Sequence, residues 1–395
     1  MCAPGNPGIK ALARLIAADP SRPDDLVGVV EREQIDFTVV GPELPLSLGL
    51  ADRLAERGRL VFGPTAAAAR LESSKAFAKT FMARHAVPTA QFEVVESFAE
   101  ASSALRSGRF GFPVVVKADG LAAGKGVVIA ASQDQAEAAA REAMDERRFG
   151  DAGQRLVIEE CLSGPEVSFF VVADGTRAVS IGAAQDHKRI FDDDRGPNTG
   201  GMGAFAPSPL VDAALHDRIM KEIVDPVITG MASEGHEFRG FLYVGLMLTD
   251  AGPKVIEFNV RLGDPEAQVV LSRIDEPLLP LLVAAAAGQL RQTSCRLSSE
   301  RLVGVVLASR GYPESSESGC VIEGVAEAEQ IPSVSVFHAG TALREGRLVT
   351  VGGRVLTVVG SGNDFTQAVS RAYEGVGKIS FDGMQYRRDI GRKAL

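Results

Sequence analysis

The chain has 395 residues, 45% of them hydrophobic, enough for two or three domains with separate cores. Its formal charge of -9, from 42 basic and 51 acidic residues, excludes a broad nucleic-acid or anionic-membrane surface, so any phosphate affinity must come from local clusters. The longest apolar run, 277–290, is too short to span a bilayer, and the opening Met1-Cys-Ala-Pro-Gly-Asn6 lacks the shape of a signal peptide, so a cytoplasmic protein is expected.

Taken in chain order, the periodicity predicts a helix over 24–34, a strand over 36–40 entering the turn Gly41-Pro-Glu43, a helix over 46–57 and a strand over 60–62. That alternation reads as α/β. A serine cap followed by Phe77, Phe81 and Met82 predicts a helix over 73–85 that opens a second domain. Strands at 114–117, 126–130 and 156–160, with an Ala/Glu-rich helix over 133–144, form a small α+β module. A loop rich in Asp, Arg and Gly over 186–203, a helix over 212–232 and strands over 240–248 and 254–260 follow. From about 297 strands at 302–308, 334–339 and 354–359 with one helix over 364–376 suggest a third, mostly β domain.

The four cysteines, Cys2, Cys161, Cys295 and Cys320, form no C-x-x-C pair and read as reduced thiols. The five histidines never fall three or four apart, which excludes a helical metal pair, and no G-x-S-x-G elbow marks a serine hydrolase.

Two segments carry chemistry. In Gly120-Leu-Ala-Ala-Gly-Lys-Gly126 the glycines let backbone N–H groups approach an anion and the lysine adds charge, although the spacing fits neither a Walker A loop nor G-x-G-x-x-G. Alone, such a loop is more often a tight hairpin than a ligand cradle. Lys117 ends a strand of three valines, where an ammonium needs a partner, either a nucleotide phosphate or Asp119. In the strand 255–260, alternation puts Glu257 and Asn259 on one face and Ile256, Phe258 and Val260 on the other. Two oxygen ligands so placed suit magnesium, which completes its shell with phosphates and water, and Arg261 and Asp264 follow directly. The strand at 157–160 leaves into an extended linker whose backbone suits an adenine edge, with Glu166 in reach of ribose hydroxyls. The segments 185–189 and 196–203, the latter with four glycines in eight residues, read as a substrate loop.

Together, Gly41-Pro-Glu43, Gly63-Pro-Thr65, Ser74-Lys-Ala-Phe77, the run from Lys117 to Gly126, Gln185-Asp-His-Lys188, Pro197-Asn-Thr-Gly-Gly-Met-Gly203 and Glu257-Phe-Asn-Val-Arg-Leu-Gly-Asp-Pro-Glu266 make a specific combination. The chain resembles the glycinamide ribonucleotide synthetase (phosphoribosylamine–glycine ligase) family of the ATP-grasp superfamily, from Ala3-Pro-Gly-Asn6 to Arg388-Asp-Ile-Gly391. The resemblance implies an α/β and α+β multidomain protein: a truncated Rossmann-like N-terminal substrate domain (1–72), an ATP-grasp domain (73–295, lid about 88–160) and a mostly β C-terminal domain (296–395). It further implies ligation of glycine to 5-phosphoribosylamine through glycyl phosphate in purine biosynthesis, with ATP as co-substrate and Mg2+ or Mn2+ as metal. Its partners are then small molecules, without nucleic acid or membrane, and a monomer is expected.

Carried over by residue, the resemblance assigns Lys75, Lys117, Gly120, Gly124, Lys125 and Gly126 to the ATP phosphates, and Glu159, Glu160, Leu162 and Glu166 to adenosine. Glu257 and Asn259 become the metal ligands. Lys188, Arg261 and Asp264 become catalytic groups, with Asp186, Asn198, Thr199, Gly200, Gly201, Met202 and Gly203 around glycine, and Asn6 and Glu43 at phosphoribosylamine. Two departures stand out. Leu262 replaces the family's usual Phe, and the chain opens almost at Ala3-Pro-Gly-Asn6, without the family's earlier strand, Gly-Gly-Arg-Glu-His turn, helix and strand. Weak handling of the amine substrate and bare strand edges near 37–40 are therefore expected of this form. Another carboxylate–amine ligase of the superfamily, or an impaired ATP-binding relative, stays open as an alternative.

Overall fold

The computed structural model describes residues 1–121 and 126–395. Polar side chains start most of the longer helices: Thr65, Ser74, Ser97, Ser132, Asp212 and Asp364 each accept a backbone N–H of the helix they precede.

Near the N-terminus the parallel strands Phe37–Val39 and Leu60–Phe62 pair beside the helices Pro23–Arg32, Glu43–Ser47, Leu50–Glu56 and Ala66–Ser73. The single helix predicted over 46–57 is two helices, because Gly49 takes φ 78° between them, a left-handed turn that ends the helical ladder.

The antiparallel strands Phe92–Val95, Leu156–Glu160, Val114–Ala118 and Val127–Ala130, in that spatial order, form a four-stranded sheet. Ala101, Leu105, Ala136 and Ala140 of the helices Phe98–Arg106 and Gln133–Met144 pack against Val114, Val116, Leu156 and Ile158 in one core.

A wholly antiparallel eight-stranded sheet organises the rest, in the order Gly252–Asn259, Arg239–Thr249, Glu166–Asp174, Ala178–Asp186, Gly203–Ala206, Arg301–Ala308, Arg354–Gly362 and Val334–His338. Gly203–Ala206 pairs with Ala178–Asp186 on one side and Arg301–Ala308 on the other, so the C-terminal β region shares backbone hydrogen bonds with the middle of the chain. One face, with Phe169, Val171, Leu242 and Val244, packs under Ile219, Ile223, Val227 and Met231. The opposite face, with Phe170, Val172 and Ile181, packs against Leu281, Leu282 and Ala285 of the helix Leu278–Ala286. Burial on both faces explains why 167–173 is an almost unbroken apolar run. That second helix contains most of the long apolar stretch, and no described helix is long and apolar enough to cross a membrane.

Three further predicted elements differ in detail. The helix over 212–232 widens into a π turn at Met220–Val224 ahead of Pro226, whose missing N–H interrupts the ordinary ladder. The loop 186–203 holds a two-stranded ribbon, Arg189–Phe191 with Arg195–Asn198. In Gly252–Asn259 the partners of Gly245 and Leu246 are Glu257 and Val255, so Ile256 is a bulge. The extra residue shifts the alternation: Val255, Phe258 and Val260 enter the core, while Ile256 lines the same cleft as Glu257 instead of joining Phe258.

Candidate functional site

The site is built around Glu257, a half-buried residue whose carboxylate lies in the field of four cations. Burial pushes its pKa up, but Lys188, Lys117, Lys75 and Arg261 outweigh that and hold it below the ordinary value, so the group stays an anion. Each cation arrives from a different element. Lys75 opens the helix Lys75–Arg84, Lys117 lies near the end of Val114–Ala118, Lys188 follows the strand Ala178–Asp186, and Arg261 follows Gly252–Asn259. Asn259 lies two positions beyond Glu257, past the bulge, on the same strand face. An ionised carboxylate and an amide oxygen so arranged fit a magnesium or manganese ion, and the lysines and arginine beside them suit phosphate oxygens.

Lys75 donates to the carbonyl of Gly120 at 3.2 Å, and burial lowers its pKa. Ala118 N–H donates to the carbonyl of Gly126 at 2.8 Å, which closes the far end of the glycine loop. Gly124 and Lys125 lie outside the described residues.

Lys117 has a partner that the local sequence did not suggest. Its ammonium pairs with Glu159 and donates to the Ile256 carbonyl at 3.2 Å. Asp119, the expected partner, is bound instead by Arg155 at 2.6 Å and by Ser74 Oγ at 2.9 Å. The second oxygen of Glu159 faces Lys79, which also donates to Thr89 Oγ1 at 2.7 Å. Lys79, Lys117 and Glu159 are 2%, 3% and 3% exposed, and burial pushes the Lys79 pKa down to about 8. Lys79 went unnoticed in the sequence, although its position one turn after Lys75 puts both lysines on one helix face. Glu159, expected at adenosine, has its carboxylate enclosed by these lysines, whereas Glu160 accepts from Gln91 N–H at 3.0 Å and Lys254 at 3.1 Å. Glu166 pairs with Lys188 at 2.6 Å.

A second group of polar side chains surrounds Lys188. Burial opposes its charge, but Asp186, Tyr243 and Glu166 more than compensate and raise its pKa well above the usual lysine value. Ser168 Oγ and Tyr243 OH lie 2.8 Å apart. Glu266 beside them has its pKa pushed up to about 7 by burial and by the charge of Asp186. Glu266 stands in a sequence motif that gave it no role; Tyr243 reads as an ordinary residue of the predicted strand 240–248, and Ser168 lies in Glu166–Asp174, a strand the sequence did not predict.

Arg261 is held between Glu72 at 2.9 Å and Glu43 at 3.2 Å. The substrate loop folds back onto Lys188, whose carbonyl accepts from Thr199 N–H at 2.7 Å, while Met202 N–H donates to the His187 carbonyl at 2.8 Å. Asp264 meets Arg354, which also binds the Gly200 carbonyl, so the loop and the Gly263-Asp264-Pro265 turn come together. Asn198 ends one strand of the ribbon and is exposed. Asn6 has its own partners: its Nδ2 donates to the His338 carbonyl at 2.6 Å and its Oδ1 caps Ile9 N–H at 3.0 Å. Among the described residues no hydrogen bond or ion pair joins Asn6 to Glu43.

A four-stranded module that supplies Lys117, set against a large antiparallel sheet whose edge strand carries Glu257 and whose inner strand Ala178–Asp186 leads to Lys188, defines an ATP-grasp ligase. Family models agree: Phosphoribosylglycinamide synthetase, N domain, matches residues 1–72, its ATP-grasp (A) domain 73–267 and its C domain 302–393. The chain belongs to the phosphoribosylglycinamide synthetase family. It is 48% identical to the phosphoribosylamine–glycine ligase of Neisseria meningitidis serogroup A over 395 residues, covering 100% of this chain and 92% of that protein. The enzyme of the same name from Ralstonia nicotianae is 48% identical over 394 residues, with 100% and 92% covered. Among solved structures, phosphoribosylamine–glycine ligase of Thermotoga maritima superposes with a TM-score of 0.86 at 35% identity, covering 98% of this chain and 92% of that one. The biotin carboxylase domain of Hydrogenobacter thermophilus 2-oxoglutarate carboxylase shares the fold, with a TM-score of 0.73 at 18% identity over 94% of this chain and 81% of that one.

Proposed function

We propose that the chain joins glycine to 5-phosphoribosylamine with ATP, giving glycinamide ribonucleotide, ADP and phosphate, a step of purine biosynthesis. The observation that carries this reading is that Lys75, Lys117, Lys188 and Arg261 hold Glu257 ionised, within a chain so similar to phosphoribosylamine–glycine ligases. An amine does not displace oxide from a carboxylate, so the carboxylate must first acquire a leaving group. A glycine carboxylate oxygen attacks the γ-phosphorus, the β–γ bond breaks, and ADP departs, leaving glycyl phosphate. The amine of phosphoribosylamine then attacks the acyl carbon, phosphate leaves, and the nitrogen loses a proton. Such steps need alignment and charge neutralisation rather than a protein nucleophile.

Lys75 and Lys117, with the loop 120–126, hold the phosphates, while the backbone from Glu159 to Leu162 and the side chain of Glu166 hold adenosine. A divalent ion held by Glu257 and Asn259, magnesium or manganese, supplies charge neutralisation at the phosphate oxygens. Arg261, Lys188, Asp186, Asp264 and the loop 198–203 orient glycine and its acyl phosphate, and Glu43 and Asn6 meet the amine substrate. Residues 1–72 form the amine-substrate domain, 73–295 the ATP-grasp domain and 296–395 the C-terminal domain. The net charge of -9 supports action on small molecules rather than on nucleic acid or an anionic membrane, and we take the enzyme to be a cytoplasmic monomer.

The test is ADP release by the purified chain with ATP, Mg2+, glycine and phosphoribosylamine. Release should require both substrates and yield glycinamide ribonucleotide. ADP formation indifferent to glycine, or faster with another amino acid, would overturn the assignment.

A further inference from the structure

We propose that Arg354, on a strand of the C-terminal region, is a positioning residue that locks the loop 198–203 and the turn Gly263-Asp264-Pro265 into one wall of the glycine site. The role of that wall rests on the ligase reading above; the lock itself rests on geometry alone. One guanidinium donates to the Gly200 carbonyl at 2.6 Å, to the main-chain carbonyl of Asp264, and to Asp264 Oδ2 at 3.0 Å. These contacts join positions 154 and 90 residues from Arg354 in the chain. A planar fork of N–H donors can serve several acceptors at fixed angles, which a lysine ammonium on a flexible stem cannot.

The joint leaves no slack. A Cβ at Gly200 would lie 3.0 Å from the Arg354 guanidinium carbon, and one at Gly201, where φ is +114°, would lie 2.4 Å from Pro265 Cδ. Tyr312 completes the clamp by accepting the Gly200 N–H at 2.9 Å. Tyr312 is itself fixed: its carbonyl accepts from Gln385 at 3.1 Å, and its ring lies against Gly353, where a Cβ would come within 2.3 Å.

From Gly200 the constraint passes to Thr199, whose N–H and hydroxyl both donate to the Lys188 carbonyl, at 2.7 Å and 2.8 Å. Arg354 therefore fixes both Asp264 and Lys188, the groups assigned to glycine and its acyl phosphate. Arg354 begins its strand with a side chain 21% exposed, and that strand is secured along its length by Arg301–Ala308 and Val334–His338.

The variants Arg354→Gln, Arg354→Lys and Tyr312→Phe test the lock through glycine kinetics, ATP-induced thermal stabilisation, and amide hydrogen exchange in the full-length protein. Arg354→Gln should lower kcat/KM for glycine about 100-fold, the scale of an ångström-level misplacement, with the ATP-induced stabilisation unchanged. Arg354→Lys should recover only part of the loss, and Tyr312→Phe should fall in the same direction by roughly tenfold. Exchange at Gly200, Gly201 and Met202 should quicken by about tenfold in Arg354→Gln, whichever carboxylate the enzyme uses. Unchanged exchange overturns the lock, as does a loss of ATP-induced stabilisation equal to the loss of activity. Wild-type protein that ignores glycine while showing the exchange difference overturns the ligase reading and leaves the lock standing.

Discussion

Glu72 and Arg261, 189 residues apart in the chain, meet at 2.9 Å through Oε1 and Nη2. The other Glu72 oxygen accepts the Val260 N–H at 2.7 Å, so one carboxylate anchors both the end of the strand and the cation beyond it. The Glu72 side chain is only 8% exposed, and burial pushes its pKa up to about 7. Glu72→Ala leaves a backbone donor and a guanidinium without their shared acceptor. We expect a loss of about 3 kcal/mol of stability, measured by urea unfolding, together with a lower kcat/KM for glycine. Glu72→Gln retains an acceptor and should lose roughly half as much. Unfolding midpoints equal to wild type in both variants would show that Arg261 is positioned by other means.

The paired lysines on Glu159 bear on nucleotide affinity. Each oxygen of that carboxylate faces one ammonium, so Lys117 shares the task of neutralising it with Lys79. In Lys79→Met the acid depends on Lys117 alone, which becomes less available to a phosphate. We expect KM for ATP to rise about tenfold while KM for glycine stays level. Glu159→Gln acts in the opposite sense: two buried ammonium groups lose their anion, and ATP should raise the melting temperature by more than it does in wild type. A Lys79→Met enzyme with wild-type ATP saturation would refute the sharing.

Removing the metal and removing its proposed ligand give separable results. A chelator should abolish turnover, and excess Mg2+ or Mn2+ should restore it. Glu257→Gln should lower turnover by at least about 100-fold even at saturating metal. It should also destabilise the free protein, because Lys188, Lys117, Lys75 and Arg261 then face one another without their central anion. Calorimetric titration of metal in the presence of ADP distinguishes lost ligation from lost chemistry. Undiminished metal affinity in Glu257→Gln would remove Glu257 from the ligand set.

Elements that carry their own signals were legible in the chain. The helix Gln133–Met144 has a serine cap and an alanine face, and Glu257 and Asn259 kept their common side because alternation survives beyond the bulge. Features decided by a partner strand were not. The bulge at Ile256 depends on the register of Arg239–Thr249. Lys117 chose Glu159 over Asp119 because Lys117 pairs with Val157, which sets Glu159 diagonally opposite on the same face, whereas Asp119 lies past the strand end among Ser74 and Arg155. Arg354 had no local signature at all, since its acceptors belong to loops brought near only by the continuous sheet. Helix 46–57 failed at one glycine whose left-handed conformation periodicity does not register.

His187, between Asp186 and Lys188, supplies a test that depends on pH. The ring is 1% exposed, lies 5.9 Å from the Phe205 ring, and among the described residues neither nitrogen has a hydrogen-bond partner. Burial, reinforced by the positive charges of Arg387 and Lys393 against the opposing Asp194 and Asp389, depresses its pKa from 6.5 to about 4. An unfolded chain binds a proton at this histidine near pH 6.5, while the folded chain resists it until about pH 4. Between those values the unfolded form therefore holds more protons, and stability must fall as pH falls. The contribution is complete above the unfolded value and is lost through the window, amounting to about 3 kcal/mol at roughly 1.4 kcal/mol per pKa unit. His187→Phe keeps an aromatic ring in the cavity and cannot take up the proton. Urea unfolding of both proteins between pH 7 and pH 4 should show wild type losing about 3 kcal/mol more than the variant. Parallel pH profiles would mean that His187 is protonated as easily inside the protein as outside it.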